Sequence, residues 1–485
     1  MITIGPTASR RFEADDQEFF ARLSGDWNPM HIDAVAARRT QAGAPAVHGM
    51  HSLLWSLEIL AGHLNGPVSL ASLRVTFQNF LYVSDEAHCI LEGEESGKLK
   101  WQVQANGVGV LKANAIITSM PVKPSLCVDD KIEEAPGMAP PDDLTFNQAA
   151  HLHGDVFFAA KTEAFAAAFP RTSGMIGAQG VAVLACSSRL VGMVCPGLHS
   201  IYSGLRLTFH TGKDQPGGLH YEVVEADERF RLLRITISGC GTTGSIEAFM
   251  RRAPVQQPSF SDIATLVRPG EFAQETALVI GASRGLGELT AKMIVCGSGR
   301  FIGTYASGRE EAEALERAVL EFGGECQILK YDALLPPVDQ LKHMRWRPTQ
   351  LFYFATPRIV RQKSSMLDRA LLNHFLGFYA FSFFDVCEFL LMQTSAPISA
   401  YYPSSVFIDS RPDNFTEYAI AKAAGEIVCD DLRRMYPRLN ILHTRLPRLA
   451  TDQTNSVGAE APPSALPELL TVVRKLRAPY SPGAW

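Results

Sequence analysis

The stretch Thr276-Ala-Leu-Val-Ile-Gly-Ala-Ser-Arg-Gly-Leu-Gly287 decides the architecture of the last part of the chain. Its first five residues are apolar or β-branched and predict a buried strand, and three glycines then precede a helical pattern. Glycines so placed let the backbone approach a pyrophosphate at the amino end of a helix, where unpaired N–H groups favour an anion. The stretch therefore predicts a strand–turn–helix unit that can bind a dinucleotide.

Short β-branched runs alternate with helical patterns on the carboxyl-terminal side of this unit. The predicted strands after Thr276–Ile280 are Arg300–Tyr305, Gln327–Lys330, Gln350–Phe354, Ile398–Tyr402 and Leu439–Thr444. Strands that alternate with helices are typical of a parallel, doubly wound sheet, so we expect an α/β domain of the Rossmann type here.

One apolar run, Phe375–Met392, is close to the minimum length of a membrane span. It contains Asp385 and Glu388, and two carboxylates near the middle of a span would be costly in lipid. We therefore expect a long buried helix at an interface and no membrane segment. Such a helix and the habit of the family named below predict a homo-oligomer, a dimer or a tetramer.

The length of 485 residues predicts about three domains. Two proline-rich stretches, Pro121–Asp143 and Ala253–Gln274, are typical of linkers. We expect a first domain over residues 1–125, a linker and second domain over 126–255, a linker over 256–274 and the doubly wound domain over 275–485.

The first two domains share a short repeat. Leu73-Arg-Val-Thr-Phe77 recurs as Leu205-Arg-Leu-Thr-Phe209, and in both copies the run follows an apolar stretch with helical spacing, Gly49–Leu64 and Gly177–Val194. Further alternating runs follow each copy. One long helix followed by antiparallel strands that wrap around it is an α+β arrangement, so we expect two related domains.

Composition narrows the class of function. The net charge of −5 gives no general basic field for nucleic acid, and the prediction is a protein that acts on small molecules. Nine widely spaced cysteines without a Cys-x-x-Cys pair predict reduced thiols. The first residues lack the pattern of a signal peptide, and we expect a cytoplasmic protein.

The stretch Phe20-Ala-Arg-Leu-Ser-Gly-Asp-Trp-Asn-Pro-Met-His31 packs a tight polar turn before an apolar helix. Asp26 and His31 stand five residues apart, and a folded loop could bring both to one substrate carbon, where they could activate water and move a proton. Spacing alone favours the plainer alternative, in which Asp26 is a turn or helix cap and His31 an ordinary polar residue.

The whole stretch resembles the signature of the MaoC-like, (R)-specific enoyl-thioester hydratases, which have the hot-dog fold. The resemblance extends to Ala46-Val-His-Gly-Met50 and covers roughly residues 10–120. It implies that Asp26 and His31 are the catalytic pair and that backbone N–H groups around Gly49 receive the thioester oxygen. A helix amino end supplies donors where enolate charge develops, so the implied chemistry is physically coherent.

The second domain resembles a degenerate hot-dog copy, without the Asp/His string. Its Ala150-His-Leu-His-Gly-Asp155 segment offers His151, His153 and Asp155, but we do not expect a metal or a second active site there. Hot-dog domains of this family work in pairs, so the copy is expected to complete a double hot dog and help shape the acyl tunnel.

Downstream of the glycine turn lie Ser405, Tyr418 and Lys422. Tyr418 and Lys422 are four residues apart on one helical face. A nearby cation favours phenolate, so Tyr418 could pass its proton to a carbonyl oxygen that Ser405 also binds. Singly, such residues are usually surface residues of a helix.

Together with the glycine turn, this set resembles the short-chain dehydrogenase/reductase family, most closely its β-ketoacyl carrier-protein reductases, over residues 275 to about 455. The resemblance implies Ser405, Tyr418 and Lys422 as catalytic residues. The cofactor-binding residues are expected to combine the turn with the following strand ends: Gly281, Ser283, Arg284, Gly285, Leu286, Gly287, Ser307, Asp332, Ala355, Tyr418 and Lys422.

The expected cofactor is NADPH. The second predicted strand ends at Phe301–Ser307 without the acid that would bind a ribose 2′-hydroxyl, whereas Arg284 with Ser307 could receive a 2′-phosphate. No metal is expected.

The chain departs from this family in three places. Tyr353-Phe-Ala-Thr356 replaces Asn-Asn-Ala-Gly, Pro447-Arg448 replaces Pro-Gly, and the nearest candidate for the family's helix asparagine is Asn373.

These observations predict a bifunctional enzyme that reduces a 3-oxoacyl thioester and dehydrates the (R)-3-hydroxyacyl product in a biosynthetic pathway, with acyl-CoA or acyl carrier protein as substrate. The first alternative is hydration of an enoyl-CoA followed by oxidation. The second is a non-catalytic module for carrier binding and assembly.

Overall fold

The computed structural model describes residues 8–64, 68–118, 127–128, 139–210, 215–360, 365–454 and 461–477. The chain divides into two compact units, one formed by residues up to 253 and the other by the described residues from 254 onward. Eight cysteines of the described residues are buried, and none of these eight forms a disulfide bond.

The first unit is built on one antiparallel sheet of ten strands with the order β1-β3-β4-β5-β2-β8-β12-β11-β10-β7, and β6 pairs separately with β9. The strands are β1 Ala8–Arg11, β2 Ser69–Phe77, β3 Glu86–Glu95, β4 Lys98–Ala105, β5 Val108–Thr118, β6 Cys127–Val128, β7 His153–Phe157, β8 Ser200–Phe209, β9 Gln215–Pro216, β10 Gly218–Asp227, β11 Leu232–Gly239 and β12 Thr242–Met250.

The two copies of the sequence repeat pair with each other at the centre of this sheet. β2 and β8 run antiparallel, and Arg74 lies opposite Arg206, the same position of the repeat. Leu73 lies opposite Leu207 and Val75 opposite Leu205, so the two halves are related by a local two-fold arrangement about the arginine pair. The two hot-dog sheets therefore form one continuous surface.

The helices of the first unit cover one face of the sheet. They are α1 Ala14–Ser24, α2 Pro29–Ile32, α3 Ala34–Arg38, α4 Gly49–Ala61, α5 Phe146–Ala149, α6 Thr162–Ala168 and α7 Pro170–Arg189. The apolar sequences of α4 and α7 bury most of their residues, as expected of central hot-dog helices.

The second central helix differs from the predicted range Gly177–Val194. It begins at Pro170, where proline suits a first turn, and Gly177 interrupts it with φ of 73°. A π-helical turn, Leu190–Val194, continues it. The apolar pattern located this helix, but the turn chemistry shifted its ends.

The second unit contains a parallel sheet of six strands with the order β15-β14-β13-β16-β17-β18. The strands are β13 Thr276–Ile280, β14 Arg300–Tyr305, β15 Glu325–Lys330, β16 Gln350–Tyr353, β17 Ile398–Ser405 and β18 Leu439–Leu446. This is the doubly wound order of the Rossmann fold, and the predicted fold class is confirmed.

Helices cover the sheet of the second unit. They are α8 Phe260–Ala264, α9 Gly285–Cys296, α10 Arg309–Glu321, α11 Pro337–Leu341, α12 Arg369–Leu376, α13 Ser382–Gln393, α14 Phe407–Ser410, α15 Thr416–Met435 and α16 Leu466–Arg477. A π-helical turn, Gly377–Phe381, joins α12 to α13.

By length and composition, two helical stretches could cross a bilayer, Pro170–Val194 and Arg369–Gln393. The most apolar windows of these stretches are 72% and 56% buried within the fold, which is also what core helices show. The second stretch contains the predicted apolar run.

Candidate active sites

The loop that follows α1 holds Asp26 inside the first unit. Gly25 ends α1 with φ of 79°, a conformation that favours glycine. Two residues after Asp26, the Asn28 side chain accepts a hydrogen bond from Met30 N and so caps α2. These two turns bury Asp26, whose residue is 2% exposed.

The Asp26 carboxylate has two hydrogen-bond donors. Ser188 Oγ donates to Oδ2 over 2.7 Å, and Asn28 N donates to Oδ1 over 3.2 Å. Burial raises the pKa of Asp26, while the charge of His31 and these two hydrogen bonds lower it. The net direction is upward, so this carboxyl holds a proton more readily than an exposed one.

His31 lies beside Asp26, as the spacing suggested. Potential ligand atoms of Asp26, His31 and His48 all lie within 4.8 Å of one another. His31 Nδ1 lies 2.7 Å from the Ala46 carbonyl oxygen, which can only accept, so Nδ1 carries a proton and Nε2 is the nitrogen left for proton exchange. Asp26 and His31 thus form a carboxyl–imidazole pair suited to acid/base chemistry.

Asp26, His31 and His48 are residue types that can ligate a metal ion. Both ring nitrogens of His48 already lie 3.0 Å from oxygen atoms, Gln17 Oε1 and the Asp26 carbonyl. Because those contacts occupy the His48 nitrogens, the donor set suits proton transfer better than metal ligation.

The amino end of α4 lies next to this pair. Gly49 is its first residue, and no side chain caps it. The N–H groups of the first turn of a helix lack intrahelical partners and carry positive potential. A Cβ at Gly49 would lie 3.0 Å from the Phe77 ring, so a larger residue here would press on that ring.

The second half of the first unit completes the site. Ser188 comes from α7, and a Cβ at Gly192 would lie 2.2 Å from Asp26 Oδ1. Asn28 Nδ2 also donates to the Gly192 carbonyl over 2.8 Å. Sequence reasoning missed Ser188, although two adjacent serines directly after the apolar run Val181–Cys186 were a usable signal.

The described residues of the second half include two carboxylate–imidazole contacts, Asp143 with His199 and Asp155 with His220, and the carboxylate of each is exposed, unlike Asp26. Asp155 accepts from His220 over 3.0 Å, and both side chains are exposed on the edge of the sheet. At the start of α7, Glu58 instead accepts from Arg171 N and Thr172 N over 3.0 and 2.9 Å. His151 and His153 join no such cluster.

In the second unit, the glycine turn packs as closely as its sequence requires. Gly281 and Gly285 have φ of +84° and +61°, and a Cβ at Gly287 would lie 2.1 Å from the Gly281 carbonyl oxygen. Gly281 N donates to Thr304 Oγ1 over 3.0 Å, which ties the turn to β14. The turn leads into α9, which no side chain caps.

The other predicted cofactor residues lie at the same edge of the sheet. Ser307 follows β14, Asp332 follows β15 and Ala355 follows β16. Because the carboxyl ends of parallel strands meet at one edge, these residues border the crevice where such folds bind ligands. Backbone and uncapped helix end together form a cradle that fits a pyrophosphate.

Arg284, Ser283 and Leu286 belong to the turn itself. The Arg284 guanidinium lies 3.0 Å from Asp452 Oδ2, and it is only one-fifth exposed. Sequence reasoning did not foresee Asp452 as its partner. Val255 N also donates a hydrogen bond to Asp452 Oδ1 over 2.9 Å, and this fixes the carboxylate.

Ser405, Tyr418 and Lys422 are brought together between β17 and α15. The Tyr418 hydroxyl is hydrogen-bonded to the Ser405 side chain, and both residues are buried. Burial raises the pKa of Tyr418 to about 12, against the lowering effect of that hydrogen bond.

Lys422 does not act on Tyr418 in the way that the spacing suggested. Its Nζ donates to the Pro403 carbonyl over 2.6 Å and lies 4.1 Å from the Tyr379 ring centre, compared with 5.9 Å for Tyr418. Burial lowers the pKa of Lys422 to about 7. The sequence predicted that Lys422 lowers the pKa of Tyr418. Burial instead raises the pKa of Tyr418 and lowers that of Lys422.

The departures from the reductase pattern have structural partners. Tyr353 OH donates to the Phe378 carbonyl over 2.7 Å, and Thr356 Oγ1 lies 2.5 Å from Tyr379 OH. Asn373 is exposed on α12, whereas Tyr379 is fully buried against Lys422. Tyr379, and not the predicted Asn373, is therefore the residue that packs against Lys422. The search for an asparagine in the sequence could not have indicated this tyrosine.

The two units therefore define a class: a double hot dog with a buried Asp26 beside His31, joined to a Rossmann-type domain with a Ser–Tyr–Lys set. Residues 3–114 match the family model described as "MaoC like domain". The chain combines this MaoC-like domain with a second unit whose parallel sheet has the Rossmann order.

Curated relatives match parts of the chain. A mitochondrial 3-hydroxyacyl-[acyl-carrier-protein] dehydratase of Arabidopsis thaliana is 33% identical over 78 residues, 16% of this chain and 46% of the relative. An (R)-specific enoyl-CoA hydratase of Aeromonas caviae is 38% identical over 87 residues, 17% of this chain and 63% of the relative. The chain thus spans less than two thirds of either.

Solved structures resemble it more distantly. A 3-oxoacyl (acyl-carrier-protein) reductase of Agrobacterium tumefaciens with NADP bound is 19% identical, with a TM-score of 0.35, over 38% of this chain and 74% of that one. A short-chain dehydrogenase/reductase of Serratia marcescens is 19% identical, with a TM-score of 0.38, over 43% of this chain and 92% of that one.

Proposed function

We propose that the chain is a bifunctional enzyme that reduces a 3-oxoacyl thioester with NADPH and dehydrates the resulting (R)-3-hydroxyacyl thioester. The observation that carries the proposal is the pairing of a buried Asp26 with a half-buried His31 beside the uncapped amino end of α4 in a MaoC-like domain. The reductase half is supported by the Ser405–Tyr418–Lys422 set beside a glycine turn.

In the dehydratase site, His31 acts as the base and Asp26 as the acid. His31 Nε2 takes the proton from C2 of the substrate, and the N–H of Gly49 stabilises the charge that develops on the thioester oxygen. Asp26, whose pKa burial raises, gives its proton to the C3 oxygen, which leaves as water while the C2–C3 double bond forms. Hydration is the reverse of these steps.

In the reductase site, the glycine turn and the amino end of α9 would hold the pyrophosphate of NADPH, and Lys422 its nicotinamide ribose. The bound cofactor supplies a hydride to the carbonyl carbon. Tyr418 gives its hydroxyl proton to the carbonyl oxygen, and Ser405 donates a hydrogen bond to the same atom. A tyrosine whose pKa is about 12 holds that proton throughout the physiological range.

The preference for NADPH rests on the strand end at Phe301–Ser307, which has no acid for a ribose 2′-hydroxyl. Arg284 and Ser307 would bind the 2′-phosphate, and Arg284 would then share its guanidinium between the phosphate and Asp452. A titration of the full chain with NADPH and with NADH, followed by cofactor fluorescence, tests this assignment.

The same proposal sets the direction, the substrates and the assembly. Reduction makes the hydroxyl group that dehydration removes, which suits a biosynthetic sequence on acyl-CoA or acyl carrier protein.

Phe381 and Met392 are 62% and 74% exposed near the predicted interface helix, as expected of a face that a second copy covers. Buried free thiols suit the reducing cytoplasm.

The direct test uses the purified full chain and a 3-oxoacyl-CoA. We expect NADPH oxidation followed by an enoyl thioester, detected by mass spectrometry, and hydration when the enoyl thioester is supplied alone. NAD-dependent oxidation without NADPH-dependent reduction would favour the hydratase–dehydrogenase direction instead. Neither reaction with any acyl thioester would refute the proposal.

A further inference from the structure

His48 is the residue of the Ala46–Met50 motif to which the mechanism above gives no role. Its ring is fully buried. Nε2 lies 3.0 Å from the backbone carbonyl oxygen of Asp26, and Nδ1 lies 3.0 Å from Gln17 Oε1. The His48 backbone N–H also donates to Gln17 Oε1 over 3.1 Å, and Gln17 itself is fully buried.

The same ring contacts the other member of the catalytic pair. The His31 and His48 rings stack with centres 3.9 Å apart and planes inclined by 25°. His48 is also the residue immediately before Gly49, where α4 begins. One side chain therefore touches the Asp26 backbone and the His31 ring and precedes the first N–H donor of the helix.

We propose that His48 is a positioning residue of the dehydratase: it fixes Asp26, His31 and the amino end of α4 relative to one another by donating from Nε2 to the Asp26 carbonyl. This inference rests on the proposed dehydratase function. It assigns His48 no contact with substrate.

The direction of the hydrogen bonds follows from the two partners. The Asp26 carbonyl and Gln17 Oε1 are both acceptors, but Gln17 Oε1 already accepts from the His48 backbone N–H, and a neutral ring has one proton to donate. The Asp26 carbonyl therefore decides the tautomer, and the Nε2 proton of a neutral ring forms the bond to Asp26.

The surroundings keep the ring neutral. Three titratable groups face His48: His31 in the stack, His51 one turn along α4, and Asp26 through its carbonyl. Burial and the two histidines hold the pKa of His48 well below its ordinary value, against the Asp26 hydrogen bond. A neutral ring can stack on His31 in either of the protonation states that His31 passes through.

The test compares three substitutions of His48 in the hydration of a short trans-2-enoyl-CoA. His48→Gln places an amide N–H near the position of Nε2, His48→Asn places one near Nδ1, and His48→Phe keeps a stacking ring without a donor. We expect kcat to fall roughly 10- to 100-fold in the Asn and Phe variants, as for misplaced catalytic groups, with much smaller changes of KM. The Gln variant should recover most of kcat.

His51→Phe is the matched control, because His51 is a buried histidine of the same helix that stacks on Phe20 at 4.8 Å and contacts neither Asp26 nor His31 through a hydrogen bond. We expect it to keep the kcat of the original chain. Equal loss in His51→Phe, equal activity of the Gln and Asn variants, or an unchanged kcat in His48→Phe would overturn the inference.

A readout independent of turnover separates this inference from the proposed function. Nitrogen-15 NMR of histidine-labelled protein, assigned with the His48→Gln variant, should show a protonated Nε2 and an unprotonated Nδ1 at His48. The opposite tautomer would overturn the inference even if hydration is observed. Absence of hydration in the original chain, with the expected tautomer present, would count against the proposed function alone.

Discussion

Ser188 Oγ, on the second half of the double hot dog, donates a 2.7 Å hydrogen bond to Oδ2 of Asp26, on the first half. The second half thus supplies a hydrogen-bond donor to the buried carboxylate of the first half. Gly192 packs against the same carboxylate, so the second copy is a structural part of the dehydratase site.

Ser188→Ala should shift the pH dependence of hydration. The serine hydrogen bond lowers the pKa of Asp26, so its loss raises that pKa further. Asp26 acts as a carboxylate in hydration, and the acid limb of the kcat/KM profile should therefore move to higher pH. Ser187→Ala is the control, because Ser187 donates to Leu184 O instead and should leave the limb in place.

Asp26→Asn should abolish dehydration while sparing reduction. The amide cannot give or take the proton, and the expected loss is about 10²- to 10⁴-fold in kcat. The two activities are measured on the same preparation, with enoyl-CoA absorbance and NADPH oxidation. Asp155→Asn, in the second half, should change neither; a comparable loss there would point to a second site.

Tyr418→Phe should abolish reduction while sparing dehydration. Removing the hydroxyl removes the proton donor while the ring still packs against Phe375 and Tyr379. We expect reduction to fall by about 10² or more, with NADPH binding and hydration retained. Unchanged reduction would mean that Tyr418 is not the acid.

Gly287→Ala should weaken cofactor binding. The added Cβ would lie 2.1 Å from the Gly281 carbonyl oxygen, which forces α9 away from the turn. A strain of about 1–3 kcal/mol is expected in the folding free energy, since backbone cannot yield as a side-chain tip does. Fluorescence titration with NADPH and a thermal scan measure the two effects, and an unchanged Kd would contradict the pyrophosphate assignment.

Lys422→Met should stabilise the second unit near neutral pH. Burial lowers the pKa of Lys422 from 10.5 to about 7, so between these values the unfolded chain binds a proton that the folded chain does not. Stability of the original chain therefore rises with pH across that window, by at most ~5 kcal/mol from this group.

The gain in the Met variant should be largest at pH 7 and below and should shrink as pH approaches 10. Scanning calorimetry of both proteins at pH 7 and pH 9.5 measures it. A stability difference that is the same at both values would show that the lysine is not desolvated. NADPH binding in this variant should be weaker, because Lys422 is the proposed partner of the ribose.

The sequence alone determined the element types of this protein. Period-two and apolar runs located the six strands of the second unit, because a buried parallel strand needs continuous apolar residues whatever its neighbours are. The glycines at 281, 285 and 287 and the Asp26–His31 spacing were visible for the same reason, since local backbone geometry dictates them. The Arg74/Arg206 repeat also indicated two related halves.

Only the tertiary structure decided which distant groups complete each site. Ser188 reaches Asp26 across 162 positions of sequence, and Asp452 reaches Arg284 across 168, so no local pattern records either contact. Burial is likewise a property of the packed fold, and it set the pKa directions of Asp26, Tyr418 and Lys422. Desolvation depends on everything that surrounds a group, whereas sequence spacing specifies only its neighbours along the chain.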